Sequence, residues 1–295
     1  MSKITIVTDG VCDLSNEMIE KYDIVTVPYR ILFGEEIYRI WYNDKDTLSL
    51  ADYCEKLKTV TKENFPHTSI PSPGELQQAF EEAFKKSDTV IAVLLTSGMS
   101  GTVQAALGVA KDFFEGKDLT IFDSLHTMTG VGNQALEAAK MAHAGKSKEE
   151  ILARLEAIRD KTRYVLATAD LNFLEKQGRL GPIEKVRDQN PDVIPTIHEK
   201  DGILQPLAMF QNEADLTKRM SAFAEKIAGL AETDDIFLTH INMHAAAEKV
   251  FEIIKKNKKE GTKIHYYEAG TILGVYAGPR CLSLSYVGDF EKEWL

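Results

Sequence analysis

The chain has 295 residues and a mass of 33.0 kDa, which predicts about two domains at roughly 150 residues each. Its 35 Lys and Arg residues stand against 45 Asp and Glu residues, so the formal net charge is −10. This balance argues against nucleic acid and against an anionic membrane surface as partners, because both are bound through basic side chains. No stretch approaches the roughly 20 apolar residues that a membrane-spanning helix needs.

The N-terminal segment and the cysteines indicate in which cellular compartment the protein is expected. MSKITIVTDG (1–10) enters a strand pattern at once, without the basic and long apolar regions of a signal peptide. The three cysteines, Cys12, Cys54 and Cys281, are odd in number and form no C-x-x-C pair, so neither a disulfide framework nor a zinc site is indicated. We therefore expect a cytoplasmic protein that carries no cofactor and no metal.

The first 160 residues alternate between strand and helix patterns. Strands are predicted at 3–8, 89–95 and 119–123, and a hairpin at 24–32 and 35–40 around Phe33-Gly34. Helices are predicted at about 14–22, 49–57, 101–114, 129–143 and 148–159, with another that opens at Ser72-Pro73. Such alternation predicts a mainly parallel sheet with flanking helices.

The residues after 160 follow a different pattern. The run 193–210 predicts two strands joined at Lys200-Asp201-Gly202, a hairpin signal that implies antiparallel pairing. Further strands are predicted at 163–168, 235–241, 263–268 and 282–287, and helices at 213–229 and 244–257. The predicted fold class is therefore α/β with two domains: residues 1–160 with a mainly parallel sheet, and residues 161–295 with a mixed or antiparallel sheet and helices.

The ends of the predicted parallel strands are the first candidates for a ligand site, because ligands of open α/β sheets bind beyond the carboxyl ends of strands. These ends lead into Thr8-Asp9-Gly10, into TSGMSGT (96–102) and into Asp123-Ser124. Segment 96–102 combines two glycines and four hydroxyls with a following helix, whose N-terminal N–H groups favour an anion. Spacing alone leaves two interpretations open: a carboxylate or phosphate site, or hydroxyls that only cap the helix.

Three other patterns are weaker evidence for a functional site. Asp9 and Asp123 could form a carboxylate pair, although Asp residues at strand ends more often accept hydrogen bonds from local N–H groups. Gly130-x-Gly132-x-x-Ala135 (130–135) mimics a dinucleotide fingerprint, but it lies too far from the preceding strand, so close helix packing is the favoured interpretation. His240 and His244 are separated by a predicted strand-to-helix junction and show no evident carboxylate partner, so we expect no metal there.

Two glycine-containing segments in the second half leave alternatives open. Residues 177–181, QGRLG, predict a turn that presents Arg179, either as a solvated side chain or as a bidentate contact to an anion or partner. Residues 270–279 contain three glycines among apolar residues, which could bring backbone close to a ligand or simply turn a tight corner.

In this order, these segments resemble the DegV family, which includes the fatty-acid-binding subunit of bacterial fatty acid kinase. The matching segments cover nearly the whole chain. They are TDG (8–10) with Asp13-Leu14, TSIPSPGE (68–75), TSGMSGT (96–102), Asp123-Ser124, LNFLEKQGRLG (171–181), IPTIHEKDGILQP (194–206) and GTILGVYAGP (270–279).

The resemblance implies a long-chain fatty acid held between the two domains in a buried apolar tunnel. It implies that Thr68 and Ser97 hold the carboxylate, with backbone help around Gly98. Tyr276 and Arg280 occupy the family's positions beside that carboxylate. The ligand would then be bound by its charged end in hydroxyl loops and by its tail in the tunnel.

The resemblance also implies what happens to the bound lipid. Arg179 matches the arginine implicated in contact with a dihydroxyacetone-kinase-like fatty acid kinase subunit, which phosphorylates the carboxylate to an acyl phosphate for phospholipid metabolism. The chain would be a non-catalytic carrier, not an enzyme. The alternative is an enzyme that acts on a small carboxylated or phosphorylated substrate at the strand ends that carry Asp9, Ser97 and Asp123.

This chain departs from the family pattern at several positions. The departures are Gly10 for a serine, Ile70 for a glutamine, Gln177 for the first of two glycines, Tyr276 for a histidine and Arg280 for a glycine. Residues 182–192, PIEKVRDQNPD, are polar where family members usually carry a more apolar helix. The shape of the tunnel and the identity of the ligand are therefore open at this stage.

Overall fold

The computed structural model describes residues 4–41, 46–178 and 193–295. The chain divides into two compact units: unit 1 comprises Met1–Asp160 with Gly270–Ile272, and unit 2 comprises Lys161–Ala269 with Leu273–Leu295. The predicted α/β class is confirmed, because unit 1 contains a parallel sheet with flanking helices and unit 2 contains a mixed, mostly antiparallel sheet.

Unit 1 contains two sheets and six of the helices. Its strands are β1 (Ile4–Asp9), β2 (Val25–Val27), β3 (Tyr29–Phe33), β4 (Glu36–Ile40), β5 (His67–Ser69), β6 (Thr89–Leu94) and β7 (Asp118–Asp123). Its helices are α1 (Asn16–Lys21), α2 (Leu50–Leu57), α3 (Pro73–Lys86), α4 (Thr102–Phe113), α5 (Met128–His143) and α6 (Lys148–Arg159).

The main sheet of unit 1 has the order β2-β1-β6-β7, and every neighbouring pair is parallel. All six residues of β6 are buried, as expected for a central strand covered on both faces. Val90, Ala92 and Leu94 share a core with α3 and α4, while α5 contacts β1 and β6. The carboxyl ends of β1, β6 and β7 therefore lie side by side at one edge.

The prediction of one continuous strand at 24–32 is wrong, because the structure has two strands there. Pro28 separates β2, which joins the parallel sheet, from β3, which pairs antiparallel with β4 and β5 in a second sheet of order β4-β3-β5. Proline has no backbone N–H and cannot donate to a ladder, so the chain changes sheets at this residue. The hairpin between β3 and β4 around Gly34 is confirmed, with Gly34 at a φ of 58°.

Gly10 lies where the two sheets of unit 1 approach each other. A Cβ on this residue would lie 2.2 Å from the carbonyl oxygen of Ile40 and 2.8 Å from the amide nitrogen of Tyr29. Both are backbone atoms that cannot rotate away. A serine at this position would therefore not fit this backbone, which accounts for the glycine in physical terms.

Gly132 packs α5 against the loop after β1. A Cβ on Gly132 would lie 2.2 Å from the carbonyl oxygen of Cys12. This confirms the interpretation of the small residues at 130–135 as a packing feature of a helix.

Unit 2 is built on one six-stranded sheet of order β10-β9-β8-β13-β11-β12. Its strands are β8 (Thr162–Thr168), β9 (Ile194–Lys200), β10 (Ile203–Phe210), β11 (Asp235–Ile241), β12 (Lys263–Glu268) and β13 (Cys281–Val287). Its helices are α7 (Leu171–Lys176), α8 (Glu213–Ala228) and α9 (His244–Asn257), with a 3₁₀ turn at Lys292–Trp294. Only the pair β11–β12 is parallel among the pairs formed by these described strands.

The predicted hairpin in unit 2 is confirmed. Asp201 and Gly202 have φ values of 53° and 78°, which are the two left-handed positions of a type I′ turn between β9 and β10. The core of this unit lies between the sheet and helices α8 and α9. It includes Leu216, Met220, Phe223, Val250, Leu238, Leu284 and Tyr286.

The segment 270–279 contains a helix that the sequence patterns did not predict. Helix α10 (Thr271–Ala277) begins in the stretch that belongs to unit 1 and ends in unit 2. Gly278 follows it at a φ of 74°, and a Cβ there would lie 2.8 Å from the ring of Phe173. The segment therefore turns a tight corner after one short helix.

Across the three described ranges, we find no helix with the length and apolar character needed to cross a membrane.

Candidate functional site

The carboxyl end of β1 is closed by Asp9, whose side chain is completely buried. Its Oδ1 accepts a hydrogen bond from the Val11 N–H at 3.1 Å, and its Oδ2 accepts one from the Leu95 N–H at 2.8 Å. Burial raises the pKa of Asp9 from 3.8 to about 6, although both hydrogen bonds lower it. Asp9 thus ties the ends of β1 and β6 together.

Asp123 has the corresponding role at the end of β7. Its Oδ1 accepts hydrogen bonds from the Ser97 N–H at 3.1 Å and from the Leu125 N–H at 3.2 Å. The two carboxylates at the strand ends therefore hold backbone N–H groups, which is the commoner of the two roles considered from the sequence.

The loop after β6 is fastened from within by hydroxyl groups. The Gly98 N–H donates to Thr96 Oγ1 at 3.1 Å, and the buried Thr96 donates its own N–H to the His126 carbonyl at 3.0 Å. The hydroxyls of Ser100 and Thr102 lie 2.8 Å apart, and both lie within 2.8 Å of the Tyr29 hydroxyl. Three of the four predicted loop hydroxyls thus hold the loop in shape.

Ser97 is the remaining hydroxyl of this loop, and it is exposed. Its side chain has no hydrogen-bond partner among the residues in the described ranges, although its N–H is held by Asp123. Helix α4 begins five residues later with Gly101 at its N-cap, and this glycine supplies no side-chain acceptor to the first turn. A partner-free hydroxyl therefore lies in the loop that leads into α4, whose N-terminus favours negative charge.

The loop after β5, which the resemblance also assigns to the carboxylate, lies next to the loop after β6 within unit 1. We call these two segments the hydroxyl loops. Thr68 is half-buried on β5 and pairs in register with Ile31 of β3. The first residue of β3 is Tyr29, whose hydroxyl contacts Ser100 and Thr102 in the loop after β6. A Cβ on Gly101 would lie 3.6 Å from Cδ1 of Ile70, so the loop after β5 contacts the loop after β6. The structure thus brings together the two loops that the resemblance assigns to the carboxylate.

The loop after β5 is anchored by a capping box at the start of α3. Ser72 caps the helix, and its N–H and hydroxyl both donate to Oε2 of Glu75 at 2.8 and 2.7 Å. Glu75 also pairs with Arg30 at 2.9 Å and with Arg39 at 3.0 Å. These partners fix the position from which Thr68 and Ile70 approach the neighbouring loop.

The connection from β7 into α5 carries backbone strain. Leu125 in the loop and Met128 at the start of α5 have φ values of 56° and 46°, in the left-handed region that non-glycine residues rarely adopt. Strain of this kind persists where surrounding structure imposes it and is concentrated at functional sites.

A cleft of about 640 Å³ lies elsewhere in unit 1, against the first turns of α3. Its lining includes charged and polar side chains from Arg39, Glu75, Gln78 and Glu82 together with Trp41. Ser72, at the end of the loop after β5, also lines this cleft, whereas Thr68 and Ser97 do not. With its charged and polar lining, the cleft is not an apolar tunnel.

Tyr276 and Arg280 lie at the end of α10 and just before β13. Tyr276 is partly buried, whereas Arg280 is exposed and forms an ion pair with Glu213 at the start of α8. The roles assigned to these two side chains beside a carboxylate stay predictions. Arg179 and the polar segment 182–192 lie outside the described residues, so the assignment of Arg179 to a partner also stays a prediction.

Unit 2 contains a second cluster of polar side chains at strand ends. His240, His244 and Glu268 each place one potential ligand atom within 4.8 Å of the others. Burial and the neighbouring His244 lower the pKa of His240 below its ordinary value. Sequence spacing showed the two histidines but missed Glu268, because the carboxylate comes from a strand 24 or more residues further along the chain.

The described geometry defines an α/β protein of two units in which hydroxyl loops meet at the ends of parallel strands. A family model described as "Uncharacterised protein, DegV family" matches residues 3–289. The chain belongs to the DegV family, as the sequence motifs predicted. A DegV domain-containing protein from Caldanaerobacter subterraneus subsp. tengcongensis is 31% identical over 288 residues, which are 95% of this chain and 96% of that protein.

Solved structures of the family share the fold. DegV from Bacillus subtilis, a fatty acid binding protein, is 25% identical with a TM-score of 0.79, and the match covers 98% of this chain and 100% of that one. A DegV family protein from Thermus thermophilus, described for its fatty acid binding, is 24% identical with a TM-score of 0.82, and the match covers 97% and 100%. The similarity therefore extends over both units.

Proposed function

We propose that this protein binds a long-chain fatty acid and presents its carboxylate to a kinase partner, without catalysing a reaction itself. In unit 1 the carboxylate would be held by the hydroxyls of Thr68 and Ser97 with help from the backbone around Gly98. The observation that carries the proposal is the Ser97 hydroxyl, which is exposed and without a partner among the described residues, in the loop that leads from β6 into α4.

The choice of ligand rests on the family and on the chemistry of the loops together. The Bacillus subtilis relative at 25% identity is a fatty acid binding protein. A fatty acid offers one carboxylate, which hydroxyls from two loops in contact and a helix N-terminus can stabilise.

A carrier fits the strand ends better than an enzyme does. The alternative function would use Asp9 and Asp123 as acid, base or metal ligand. Both Asp9 oxygens and Oδ1 of Asp123 instead accept hydrogen bonds from backbone N–H groups. Within the described part of unit 1, no hydrogen bond links the Ser97 hydroxyl to a general base.

The hydroxyl assignment is tested by two substitutions, Ser97→Ala and Thr68→Ala. A hydrogen bond to a charged acceptor contributes roughly 1.5–3 kcal/mol, so each change should weaken palmitate binding by about tenfold or more. The methyl ester of palmitate carries no charge, so its affinity should change much less. Binding is measured by calorimetry on delipidated protein, and melting curves confirm that the variants remain folded.

The neighbouring Ser69 provides a matched control. Successive side chains of a strand point to opposite faces, so Ser69 points away from Thr68, and its hydroxyl donates to the Ile70 carbonyl at 3.3 Å. Ser69→Ala should bind palmitate like wild type. If Ser97→Ala and Thr68→Ala also bind like wild type while they melt normally, the carboxylate is held elsewhere.

Presentation to a partner is tested through Arg179. An arginine offers a planar pair of donors suited to a carboxylate or a developing acyl phosphate. Arg179→Ala should leave fatty-acid affinity near that of wild type and suppress phosphorylation by a fatty acid kinase, and Arg179→Lys should restore only part of the rate. Arg280→Ala is the comparison variant, because Arg280 pairs with Glu213. Loss of lipid binding in Arg179→Ala would contradict the assignment.

A further inference from the structure

The carboxyl ends of β11 and β12 bring three potential metal ligands together. These two strands are parallel neighbours, and His240 of β11 is the direct register partner of Glu268, the last residue of β12. His244 opens α9 after a short turn in which Asn242 adopts a left-handed φ of 49°. Strand register and turn geometry, not flexible loops, therefore set the positions of all three side chains.

The distances fit a single small cation. Nε2 of His244 lies 3.3 Å from Oε1 of Glu268, and the rings of His240 and His244 have centroids 4.4 Å apart. Ligand atoms bound to zinc at 2.0–2.2 Å lie about 3.4 Å from one another in a tetrahedron. The full set of ligand atoms lies within 4.8 Å, so small rotations of the side chains would complete the arrangement.

His240 provides an independent sign that the cluster is incomplete without a ligand. Its side chain is only 2% exposed, and its buried Nδ1 has no hydrogen-bond partner. A buried polar atom without a partner is costly, and in native structures such atoms call for an explanation such as an ion. A simple ion pair between His244 and Glu268 would leave this nitrogen unexplained.

From these observations we propose that His240, His244 and Glu268 form a binding site for a divalent transition-metal cation of the zinc type. Two imidazole nitrogens and one carboxylate oxygen are a ligand set that suits zinc, whereas calcium and magnesium take oxygen ligands. His244 and Glu268 are 68% and 50% exposed, so the ion can enter from solvent and keep a water in its fourth position. All three residues belong to unit 2, whereas the hydroxyl loops belong to unit 1.

The α9 N-terminus disfavours a cation, because a helix carries partial positive charge at that end. The carboxylate of Glu268 offsets this effect. We therefore expect the loss of the Glu268 charge to weaken binding at least as much as the loss of one imidazole.

The test is a titration of the purified, chelator-treated full chain with zinc chloride. Calorimetry should show saturable binding, and added zinc should raise the melting temperature. Loss of residues that only support metal ligands typically weakens affinity 10–100-fold, so His244→Ala and Glu268→Gln should each weaken binding by at least about tenfold. Both side chains are exposed, so these variants should fold even if His240→Ala does not.

His143→Ala serves as the control, since this exposed histidine belongs to unit 1 and lies outside the cluster. It should bind zinc like wild type. Cobalt(II) is a second probe: its visible spectrum should show four-coordination with nitrogen ligands in wild type, and this signal should be lost in His244→Ala and Glu268→Gln. Absence of saturable zinc binding by wild type, or equal binding by wild type and both cluster variants, would overturn the proposal.

Discussion

Both units place polar side chains at the carboxyl ends of parallel strands, but they use them differently. In unit 1, Asp9 and Asp123 accept backbone hydrogen bonds, and the hydroxyl of Ser97 is left exposed. In unit 2, His240 and Glu268 face each other in register, and one imidazole nitrogen is left buried without a partner. The same position in a sheet therefore differs between the two units in which polar atoms are left without a partner in the described structure.

The difference follows from what each strand end must satisfy. In unit 1, several loops meet at the strand ends, and their backbone N–H groups donate hydrogen bonds to the carboxylates of Asp9 and Asp123. At β11 and β12, the Ala269 N–H donates to the His240 carbonyl at 2.9 Å, so the backbone satisfies itself there. Side-chain nitrogen and oxygen atoms then remain available for a ligand.

The largest expected effect tests how tightly the unit 1 strand end is packed. Gly10→Ala would place a methyl group 2.2 Å from the Ile40 carbonyl oxygen, and relief requires backbone movement. We expect the free energy of unfolding to fall by about 3 kcal/mol or more, measured by urea denaturation. Gly108→Ala is the control, because it lies within α4 with open space around it and should stabilise by about 0.5–1 kcal/mol. Equal stability of the two variants would contradict the packing described at Gly10.

The next effect tests whether Asp9 is structural. Asp9→Asn replaces one acceptor by an amide nitrogen, so either the Leu95 or the Val11 N–H loses its partner. This should lower the free energy of unfolding by about 2 kcal/mol at pH 4.5.

The pH dependence of this variant gives a second readout. Because folding raises the pKa of Asp9 to about 6, the protonated form is favoured in the native state. The contribution of Asp9 to stability is therefore complete below the unfolded pKa near 4 and is lost as the pH rises through about 6. Asp9→Asn should lack this dependence, so the gap between the two proteins should narrow at pH 7.5. Parallel stability curves would show that Asp9 does not titrate in this range.

The smallest effect concerns the unit 2 strand end in metal-free protein. His244 and Glu268 form an exposed pair, and exposed pairs contribute about 0–1 kcal/mol. Glu268→Gln should therefore change the free energy of unfolding by less than about 0.5 kcal/mol in the presence of a chelator, measured by urea denaturation. A large loss under these conditions would mean that Glu268 serves the fold and not a ligand, which would remove the contrast between the two units.

Features encoded in neighbouring residues were predictable from the sequence. The helix start at Ser72-Pro73 and the turn at Asp201-Gly202 depend on a few adjacent residues, and the structure contains both. Helix α10 was not predicted, because the three glycines in and around it are poor helix formers and normally indicate a turn. Strand β5 has three residues, too few for a periodic pattern.

Long-range proximity was much harder to predict. The contact of Ile70 with the Gly101 loop and the register of His240 with Glu268 depend on how distant segments pair. No local spacing in the sequence encodes either one. The resemblance to the family indicated that the two loops meet, whereas the register of His240 with Glu268 became visible only in the structure.

The central claim, that a long-chain fatty acid is the ligand, is tested most directly by affinity as a function of chain length. Each methylene buried from water contributes about 0.8 kcal/mol, so affinity for saturated fatty acids should rise about fourfold per carbon until the binding space is full. Solvent extraction of the purified protein followed by mass spectrometry should also recover a fatty acid in stoichiometric amount. An affinity that stays flat from eight to eighteen carbons, with no acyl chain in the extract, would contradict the account and indicate a site for small anions.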